Sequence, residues 1–349
     1  MKYLFVYIVP FSVLLSIYLQ NIWSFSTVIL IFFIFPVIEL FTRASPSNLD
    51  IEEEAKAEKN PVYDLILYGL VPFQYIIMAF FLLRVSNENL NLISIIGMTS
   101  AYGMSCGILG INAAHELGHR TKKYEQLMGK MLLITTLYMH FFIEHNRGHH
   151  KNVSTPYDPA TARLGEPVFM FYLRSIAGSW ISAWNIESKR LKRLKVPIWS
   201  IKNEMLLYQF FQIFLLLLIG LVFGFKTMLW FVLGSLIGIL LLETVNYIEH
   251  YGLNRKRKGD GFERTLPVHS WNSNHPVGRL VLLELSRHSD HHYMASRKFQ
   301  ILRHFDNSPQ MPAGYPAMML LSLIPPLWFY VMHKTLASFK NTEAGKQLG

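Results

Sequence analysis

Cysteine is almost absent from this chain of 349 residues, which contains only Cys106, inside an apolar run. A disulfide, a zinc ribbon or a cysteine-ligated iron site needs more than one cysteine, so none of them can be built here. Charged residues are also scarce, at 16% of the chain against about 25% in a typical soluble domain. Because 51% of the residues are hydrophobic, these deficits indicate a multi-pass membrane protein.

The apolar residues collect in six segments, each long enough to cross about 30 Å of hydrocarbon at about 1.5 Å per residue. These segments are residues 2–19, 22–42, 65–83, 91–115, 205–225 and 227–249. Very short turns join them in pairs. We therefore predict an all-α integral membrane fold in which residues 1–349 form one domain with six transmembrane helices in three hairpins.

Lysine and arginine are distributed unevenly between the connections. The long connections, 43–64, 120–204 and 250–349, hold most of them, whereas the short turns hold only Arg84 and Lys226. The positive-inside rule then places both termini and all long connections in the cytoplasm. We expect 120–204 and 250–349 to form a cytoplasmic cap.

Nine of the fourteen histidines fall into four clusters beside the ends of apolar runs. The clusters are HELGH with His115 and His119, HNRGHH with His145, His149 and His150, IEHYG with His250, and HSDHH with His288, His291 and His292. Packing gives no reason for this concentration, whereas histidine is the commonest metal ligand. Imidazoles suit iron, copper or zinc rather than magnesium or calcium. Nine of them would serve two ions with four or five ligands each.

The spacing within the clusters is helical. His115 and His119 are separated by four residues, as are His145 and His149, so each pair projects from one helical face. The HSDHH histidines have i, i+3, i+4 spacing and are predicted to share a face as well. His150 is rotated from His149 by about 100° on an α-helix, so we predict that these two neighbours reach different ions.

Polar residues beside the clusters are candidates for orienting the histidines, because a ligand imidazole donates its other ring N–H to such a group. The candidates are Asn112, Glu116, Glu144, Asp158, Glu243, Asn246, Glu249 and Asp290. Glu243 lies inside an apolar run, where a carboxylate is costly and should face the bundle interior or the metal site. An ordinary salt bridge or structural hydrogen bond is the alternative for each of them.

The motifs HELGH, EHNRGHH, NYIEHYG and RHSDHH, in this order, resemble the membrane alkane 1-monooxygenases. The stretches TPYDPATARLGE (155–166), HSWNSNH (269–275) and RKFQILR through MPAGYP (297–316) agree with this resemblance. The wider superfamily of fatty-acid desaturases and related hydroxylases shares only the spaced histidine boxes. Since the agreeing stretches lie outside those boxes, the resemblance to the alkane 1-monooxygenases covers nearly the whole chain.

This resemblance implies an enzyme of the bacterial inner membrane whose nine clustered histidines hold two iron ions on the cytoplasmic side. The implied reaction is O₂-dependent hydroxylation of a terminal C–H bond of a medium- or long-chain alkane taken from the bilayer. The implied electron donor is a rubredoxin, itself reduced by an NAD(P)H-dependent reductase.

The chain cannot contain its own rubredoxin, because that iron needs four cysteine thiolates. A separate donor must therefore dock on the cytoplasmic face. Candidate docking residues are the basic runs Arg255–Lys258 and 189–195, which would steer an acidic partner. Binding of anionic lipid headgroups is the alternative role for these runs. We expect no nucleic-acid partner.

A terminal methyl has stronger C–H bonds than an internal methylene, so terminal attack requires the protein to hold the chain end-on. Gly103, Gly107 and Gly110 lie on roughly one side of the fourth apolar run. They are candidates for leaving room for an alkyl chain. Close helix–helix packing, which small residues serve in membranes, is the alternative.

Three other functions are less consistent with the sequence. HELGH matches the zinc-protease pattern HExxH with Glu116 as general base, but that site would leave six clustered histidines without a role. A divalent-metal transporter would line a path across the bilayer, whereas these clusters share one predicted side. A desaturase, or a hydroxylase of aryl methyl groups or fatty acyl chains, stays an alternative within the same superfamily.

Overall fold

The computed structural model describes residues 2–349, and these residues are almost entirely helical. The α-helices are Ile8–Tyr18, Ser26–Ile29, Phe35–Phe41, Ile51–Lys59, Pro61–Val85, Leu92–Ser105, Ala113–Gly118, Lys123–Ile134, Phe141–Glu144, His150–Asn152, Val168–Arg193, Glu204–Phe223, Phe225–His250, Pro276–Val281, His288–Tyr293, Tyr315–Ser322 and Pro325–Lys340. Three segments are π-helical: Leu30–Ile34, Cys106–Asn112 and His145–His149. Turns of 3₁₀ helix are Lys2–Tyr7, Asn21–Phe25, Pro267–His269, Phe299–Ile301 and Gly345–Gln347. Strands Arg257–Lys258 and Gly261–Phe262 pair antiparallel.

Five helical segments are long and apolar enough to cross a membrane. They are Asn21–Phe41, Pro61–Val85, Leu92–Gly118, Glu204–Phe223 and Phe225–His250. The first predicted span corresponds to Lys2–Tyr18, which is apolar but shorter than these five. The prediction of an all-α membrane fold is thus confirmed, with five candidate spans, while the sixth span stays a prediction.

Local sequence signals explain where several helices begin and end. Asn91 and Asn203 cap helices with their side-chain oxygens, which accept backbone N–H groups of the first turn. Asp50 and Glu53 form a reciprocal capping box at the start of Ile51–Lys59. Gly224 takes a φ of +85° in the one-residue turn between Glu204–Phe223 and Phe225–His250, a conformation that glycine adopts without a steric penalty.

The described residues form two compact units. The first comprises 2–31, 64–147 and 180–242, and the second comprises 32–63, 148–179 and 243–349. The assignment of the whole chain to one domain stays a prediction.

In the first unit, Leu92–Gly118 is the most enclosed of the long helices, with most of its side chains buried, whereas Glu204–Phe223 is largely exposed. Buried polar contacts tie the amino-terminal helices to it. The Asn21 amide donates to Ser94 Oγ at 2.7 Å. Ser16 Oγ lies 2.9 Å from Thr27 Oγ1 and joins the amino-terminal helices to each other. Hydrogen bonds of this kind satisfy hydroxyl and amide groups that lie away from water.

Pairs of glycines bring Leu92–Gly118 against Phe225–His250. A Cβ on Gly103 would lie 2.5 Å from Ile237 Cβ, and one on Gly107 would lie 3.1 Å from Leu241 Cβ. On the opposite helix, a Cβ on Gly234 would lie 2.6 Å from the Tyr102 ring. The spacing of small residues by four positions is the pattern that lets membrane helices approach closely.

Gly238 continues this pattern, since a Cβ there would overlap Cys106. Gly110 faces Thr136 instead, and a Cβ there would overlap the Thr136 methyl group. The geometry therefore favours the packing role for Gly103, Gly107 and Gly110, while their role in a substrate channel stays a prediction.

In the second unit, arginines fasten the extended segment after Phe41 to the carboxyl-terminal region. Arg279 Nη1 donates to the Ser45 carbonyl at 2.9 Å, and Arg287 Nη2 donates to the Ser47 carbonyl at 2.6 Å. Both arginines also contact the buried Glu284 carboxylate. This network holds the chain just before the HSDHH motif in a defined position.

Candidate metal centre

Four histidines of the second unit converge on one point. His149, His250, His288 and His292 are buried, and their ligand nitrogens all lie within 4.8 Å of one another. His149 Nε2 is 3.2 Å from His292 Nε2, and His288 Nε2 is 3.1 Å from His250 Nε2. Residues from three separate parts of the chain thus meet with their ring nitrogens facing each other.

These nitrogen–nitrogen distances fit a shared metal ion. Imidazole binds an ion such as zinc at about 2.0–2.1 Å, so two adjacent ligands at right angles would have nitrogens about 3.0 Å apart. Burial, reinforced by the surrounding imidazoles, holds the pKa of His292 well below its usual value. The ring is therefore neutral, the form in which histidine binds metal.

Two buried carboxylates lie against this group. Asp158 Oδ2 is 3.0 Å from His149 Nδ1, and Glu249 Oε2 is 3.1 Å from His288 Nε2. Neither carboxylate forms an ion pair with a lysine or arginine within residues 2–349. Burial disfavours the ionised form of a carboxylate, whereas a cation held by the four imidazoles would favour the ionised form of both.

Asp158 is held by its own hydrogen bonds. The Thr161 hydroxyl donates to its Oδ2 at 2.5 Å and the Ala160 amide to its Oδ1 at 3.1 Å. Burial raises the pKa of Asp158, but the His149 imidazole and the Thr161 hydroxyl outweigh burial and hold that pKa below its usual value. The ionised carboxylate accepts a hydrogen bond from the Nδ1–H group, so Nε2 is the nitrogen through which His149 would bind an ion.

The remaining clustered histidines also meet in pairs and triplets. In the first unit, the ligand nitrogens of His115, His119 and His145 lie within 4.8 Å of one another, and His119 Nε2 is 3.1 Å from His145 Nε2. In the second unit, His150 Nε2 is 3.1 Å from His291 Nε2. Neighbouring His149 and His150 therefore have different partners, as their spacing predicts.

The HSDHH histidines divide in the same way. His288 and His292, four residues apart, belong to the four-histidine group, while His291 points to His150. The short helix His288–Tyr293 thus contributes to two groups of ligand atoms. The other histidines, His140, His269, His275, His304 and His333, are outside the histidine groups formed by residues 2–349.

Two of the histidine clusters are next to π turns. The segment His145–His149 is itself π-helical, and Cys106–Asn112 immediately precedes the helix that bears His115 and His119. A π turn closes with an i→i+5 hydrogen bond and is frequently found at functional sites. It changes the angular relation between successive side chains, so α-helical spacing alone does not give their directions.

The other candidate orienting residues have varied partners. Glu116 pairs with Arg120 at 2.8 Å, and Ser182 donates to Glu144 Oε1 at 3.2 Å. Asn246 Nδ2 lies 3.4 Å from Glu243 Oε2. Asn112 is buried at the end of the π turn before HELGH.

Asp290 contacts arginine rather than a histidine ring. Arg297 Nη1 reaches both of its oxygens, at 3.0 and 2.8 Å, and the Arg303 amide donates to Oδ2 at 2.7 Å. Asp290 thereby fixes the ligand-bearing helix to the chain that follows it.

One contact of the site was not predicted from the sequence. The Tyr315 hydroxyl donates to Glu249 Oε1 at 2.8 Å, and the Tyr315 side chain is completely buried. Burial and the neighbouring Glu249 carboxylate raise the pKa of Tyr315 well above its usual value, so the hydroxyl stays protonated. Its position inside the MPAGYP stretch was the available sequence signal.

A sequence model of the fatty acid desaturase family matches residues 91–333. Among curated proteins, the chain is 40% identical over 317 residues to an alkane 1-monooxygenase of Acinetobacter baylyi, covering 90% of this chain and 78% of the relative. It is 38% identical over 320 residues to alkane 1-monooxygenase 1 of Pseudomonas aeruginosa, covering 91% and 84%. A xylene/toluene monooxygenase hydroxylase component of Pseudomonas putida is 28% identical over 276 residues, covering 78% and 73%.

The helical membrane fold, the histidine groups and the family match define a histidine-rich membrane oxidoreductase of the fatty acid desaturase class. Within this class, the chain belongs to the alkane 1-monooxygenase family, and it is a monooxygenase enzyme with a histidine-ligated metal centre.

Proposed function

We propose that this chain hydroxylates a terminal methyl group of a medium- or long-chain n-alkane to a 1-alkanol. The observation that carries the proposal is the group of four buried, mutually facing imidazoles flanked by Asp158 and Glu249. Relatives named alkane 1-monooxygenases at 38–40% identity supply the substrate class. The balanced reaction consumes one alkane, one O₂, two electrons and two protons and yields one alcohol and one water.

We propose that the nine clustered histidines hold two iron ions. His149, His250, His288 and His292 would hold one of them, with Asp158 orienting His149 through Nδ1 and Glu249 lying beside the metal-facing Nε2 of His288. The other five clustered histidines would supply the remaining ligands. Bound iron supplies the activation of O₂, which no amino-acid side chain provides, whereas the protein supplies binding and orientation.

The electron donor is proposed to be a rubredoxin that docks on basic residues of the cytoplasmic surface. Lys256, Arg257 and Lys258 are exposed on and beside the short β-hairpin. Arg255 has a different role, because it is buried and donates to the Lys151 and Glu263 carbonyls at 2.8 and 3.0 Å. Arg255 therefore anchors the hairpin that carries the exposed cations.

The proposed topology has six transmembrane helices in three hairpins in the bacterial inner membrane, with both termini and the 120–204 and 250–349 segments in the cytoplasm. The five candidate spans, the apolar Lys2–Tyr18 helix and the charge distribution support it. Reporter fusions after Lys202 and after Gly349 should report a cytoplasmic position, and one at Lys226 the opposite side. An external Lys202 would contradict the arrangement.

The function is tested by product analysis. Purified protein with rubredoxin, its reductase and NADH is given an n-alkane, an alkylbenzene and an acyl lipid in parallel, and iron is quantified in the same sample. We expect iron in the protein and 1-alkanol as the main product. Preferred oxidation of the aryl methyl group would favour the activity named for the 28% identical relative, and an unsaturated acyl product would indicate a desaturase.

A further inference from the structure

Tyr315 is a buried side chain that contacts the Glu249 carboxylate from outside the histidine motifs. Its hydroxyl donates to Glu249 Oε1 at 2.8 Å, and the other oxygen of the same carboxylate lies 3.1 Å from His288 Nε2. That nitrogen in turn lies 3.1 Å from His250 Nε2. A continuous line of polar contacts therefore connects Tyr315 to the four-histidine group.

The Glu249 carboxylate is buried too deeply for water to hold it in this orientation. Glu249 and His288 are only 1% and 2% exposed, and Tyr315 is fully buried. The Glu249 backbone is fixed as well, because its carbonyl accepts the Trp271 amide at 2.8 Å. The rotation of the carboxylate about its side-chain bonds is thus set by what its two oxygens contact, namely Tyr315 and His288.

Tyr315 itself is fixed by close packing at the start of Tyr315–Ser322. A Cβ on the preceding residue, Gly314, would overlap the Glu39 carboxylate, so a larger residue there would have to displace the Glu39 side chain. Glu39 is in turn held by the Gly278 amide, which donates to its Oε1 at 2.8 Å. The hydroxyl of Tyr315 is therefore presented from a rigid support rather than from a mobile loop.

We infer that Tyr315 is a positioning residue of the metal centre, whose hydroxyl fixes the Glu249 carboxylate beside the metal-facing Nε2 of His288 and thereby holds Oε2 of that carboxylate next to the ion that the imidazoles would bind. The inference rests on the proposed function, because it requires the four-histidine group to bind iron. Outer hydrogen-bond partners of metal ligands typically change metal affinity by about 10–100-fold when they are removed. The hydroxyl should therefore influence how tightly iron is held.

The test compares Tyr315→Phe, Glu249→Gln and the double variant with the wild-type protein. The main measurement is the rate at which a chelator removes iron from the purified, iron-loaded protein, and the second is its Mössbauer spectrum. We expect Glu249→Gln to release iron about 10–100-fold faster and Tyr315→Phe to release it several-fold faster. In the Glu249→Gln background, Tyr315→Phe should add little, because a residue that acts through a partner shows strong non-additivity with it.

Tyr247→Phe is the matched control. Tyr247 is also fully buried in the second unit, and its hydroxyl donates to the Glu166 backbone carbonyl at 2.7 Å. The Tyr247→Phe variant should lose about as much thermal stability as Tyr315→Phe. It should nevertheless release iron at the wild-type rate. Equal iron release from Tyr315→Phe and Tyr247→Phe, or an undiminished effect of Tyr315→Phe in the Glu249→Gln background, would overturn the inference. Wild-type protein that binds no iron would instead overturn the proposed metal centre.

Discussion

The two glycines that separate Leu92–Gly118 from Phe225–His250 allow a graded prediction. A Cβ at position 103 would lie 2.5 Å from both Ile237 Cβ and Ile237 Cγ2, and 3.0 Å from the Gly234 carbonyl oxygen. At position 107, the nearest atoms would be Leu241 Cβ and Cδ1, each at 3.1 Å. The first arrangement requires a backbone shift, whereas the second requires only that a leucine side chain yield by a few tenths of an ångström.

The expected free energies of unfolding follow from these distances. Replacing an interior helix glycine by alanine gains about 1 kcal/mol of helix propensity, while overpacking a well-packed site costs about 1–3 kcal/mol. Gly107→Ala should thus be close to neutral, Gly103→Ala should destabilise by about 1–2 kcal/mol, and Gly107→Leu should destabilise most. Because membrane proteins in detergent often unfold irreversibly, the measurement is the half-life of folded protein at a fixed elevated temperature.

The same variants decide between packing and a substrate channel. If the glycines pack helices, surviving Gly107→Leu molecules hydroxylate alkanes of different length in the wild-type ratios. A Gly107→Leu protein with the wild-type half-life and a preference shifted to shorter alkanes would refute the packing argument and favour the channel. Gly103→Ala with an unchanged or longer half-life would show that the close contact of the new methyl group with Ile237 is relieved without cost.

The remaining predictions concern the metal centre and its electron supply. His291→Ala should abolish turnover and lower the iron content while membrane insertion, measured by the yield in the membrane fraction, is unchanged; activity at wild-type level would contradict its role as a ligand. Asp158→Asn should weaken iron binding by about 10–100-fold in a chelator titration, whereas Asp260→Asn, an exposed control, should not. Changing residues 256–258 to glutamine should slow rubredoxin-dependent turnover at low salt and flatten its salt dependence, because exposed charges are screened by salt; identical salt curves would exclude this surface for docking.

The sequence predicts a helix well where hydrophobicity alone determines its position. The Glu204–Phe223 and Phe225–His250 helices follow the predicted apolar runs 205–225 and 227–249, with the turn at Gly224 rather than at Lys226. The first helix is the exception, since Lys2–Tyr18 is apolar but falls short of the other spans. Hydropathy identifies apolar residues, but it does not give the length of the helix that they form.

Within the site, the sequence locates the histidines but not all of their partners. The separation of His149 from His150 follows from their adjacency in a helix. In contrast, Asp290 lies inside the HSDHH motif and Asp158 is 9 residues after His149. Yet of these two only Asp158 contacts an imidazole, and Asp290 binds Arg297. Tyr315 is 66 residues from Glu249, so local spacing carries no information on their contact.

The π turn Cys106–Asn112 divides the span Leu92–Gly118 into two parts, and the side-chain directions in one part do not follow from those in the other by α-helical spacing alone. An α-helix rotates about 100° per residue, and a π turn absorbs roughly one extra residue without breaking the helix. Deleting one residue within 106–112 would remove that extra residue, let the span become uniformly α-helical and leave His115 and His119 close to their present direction relative to the glycine face at Gly103. Replacing the π turn by a regular α-helix without a deletion would instead rotate both histidines by about 100° around the helix axis. One additional residue, rather than the length or the helix content of the span, therefore sets the direction of its metal ligands.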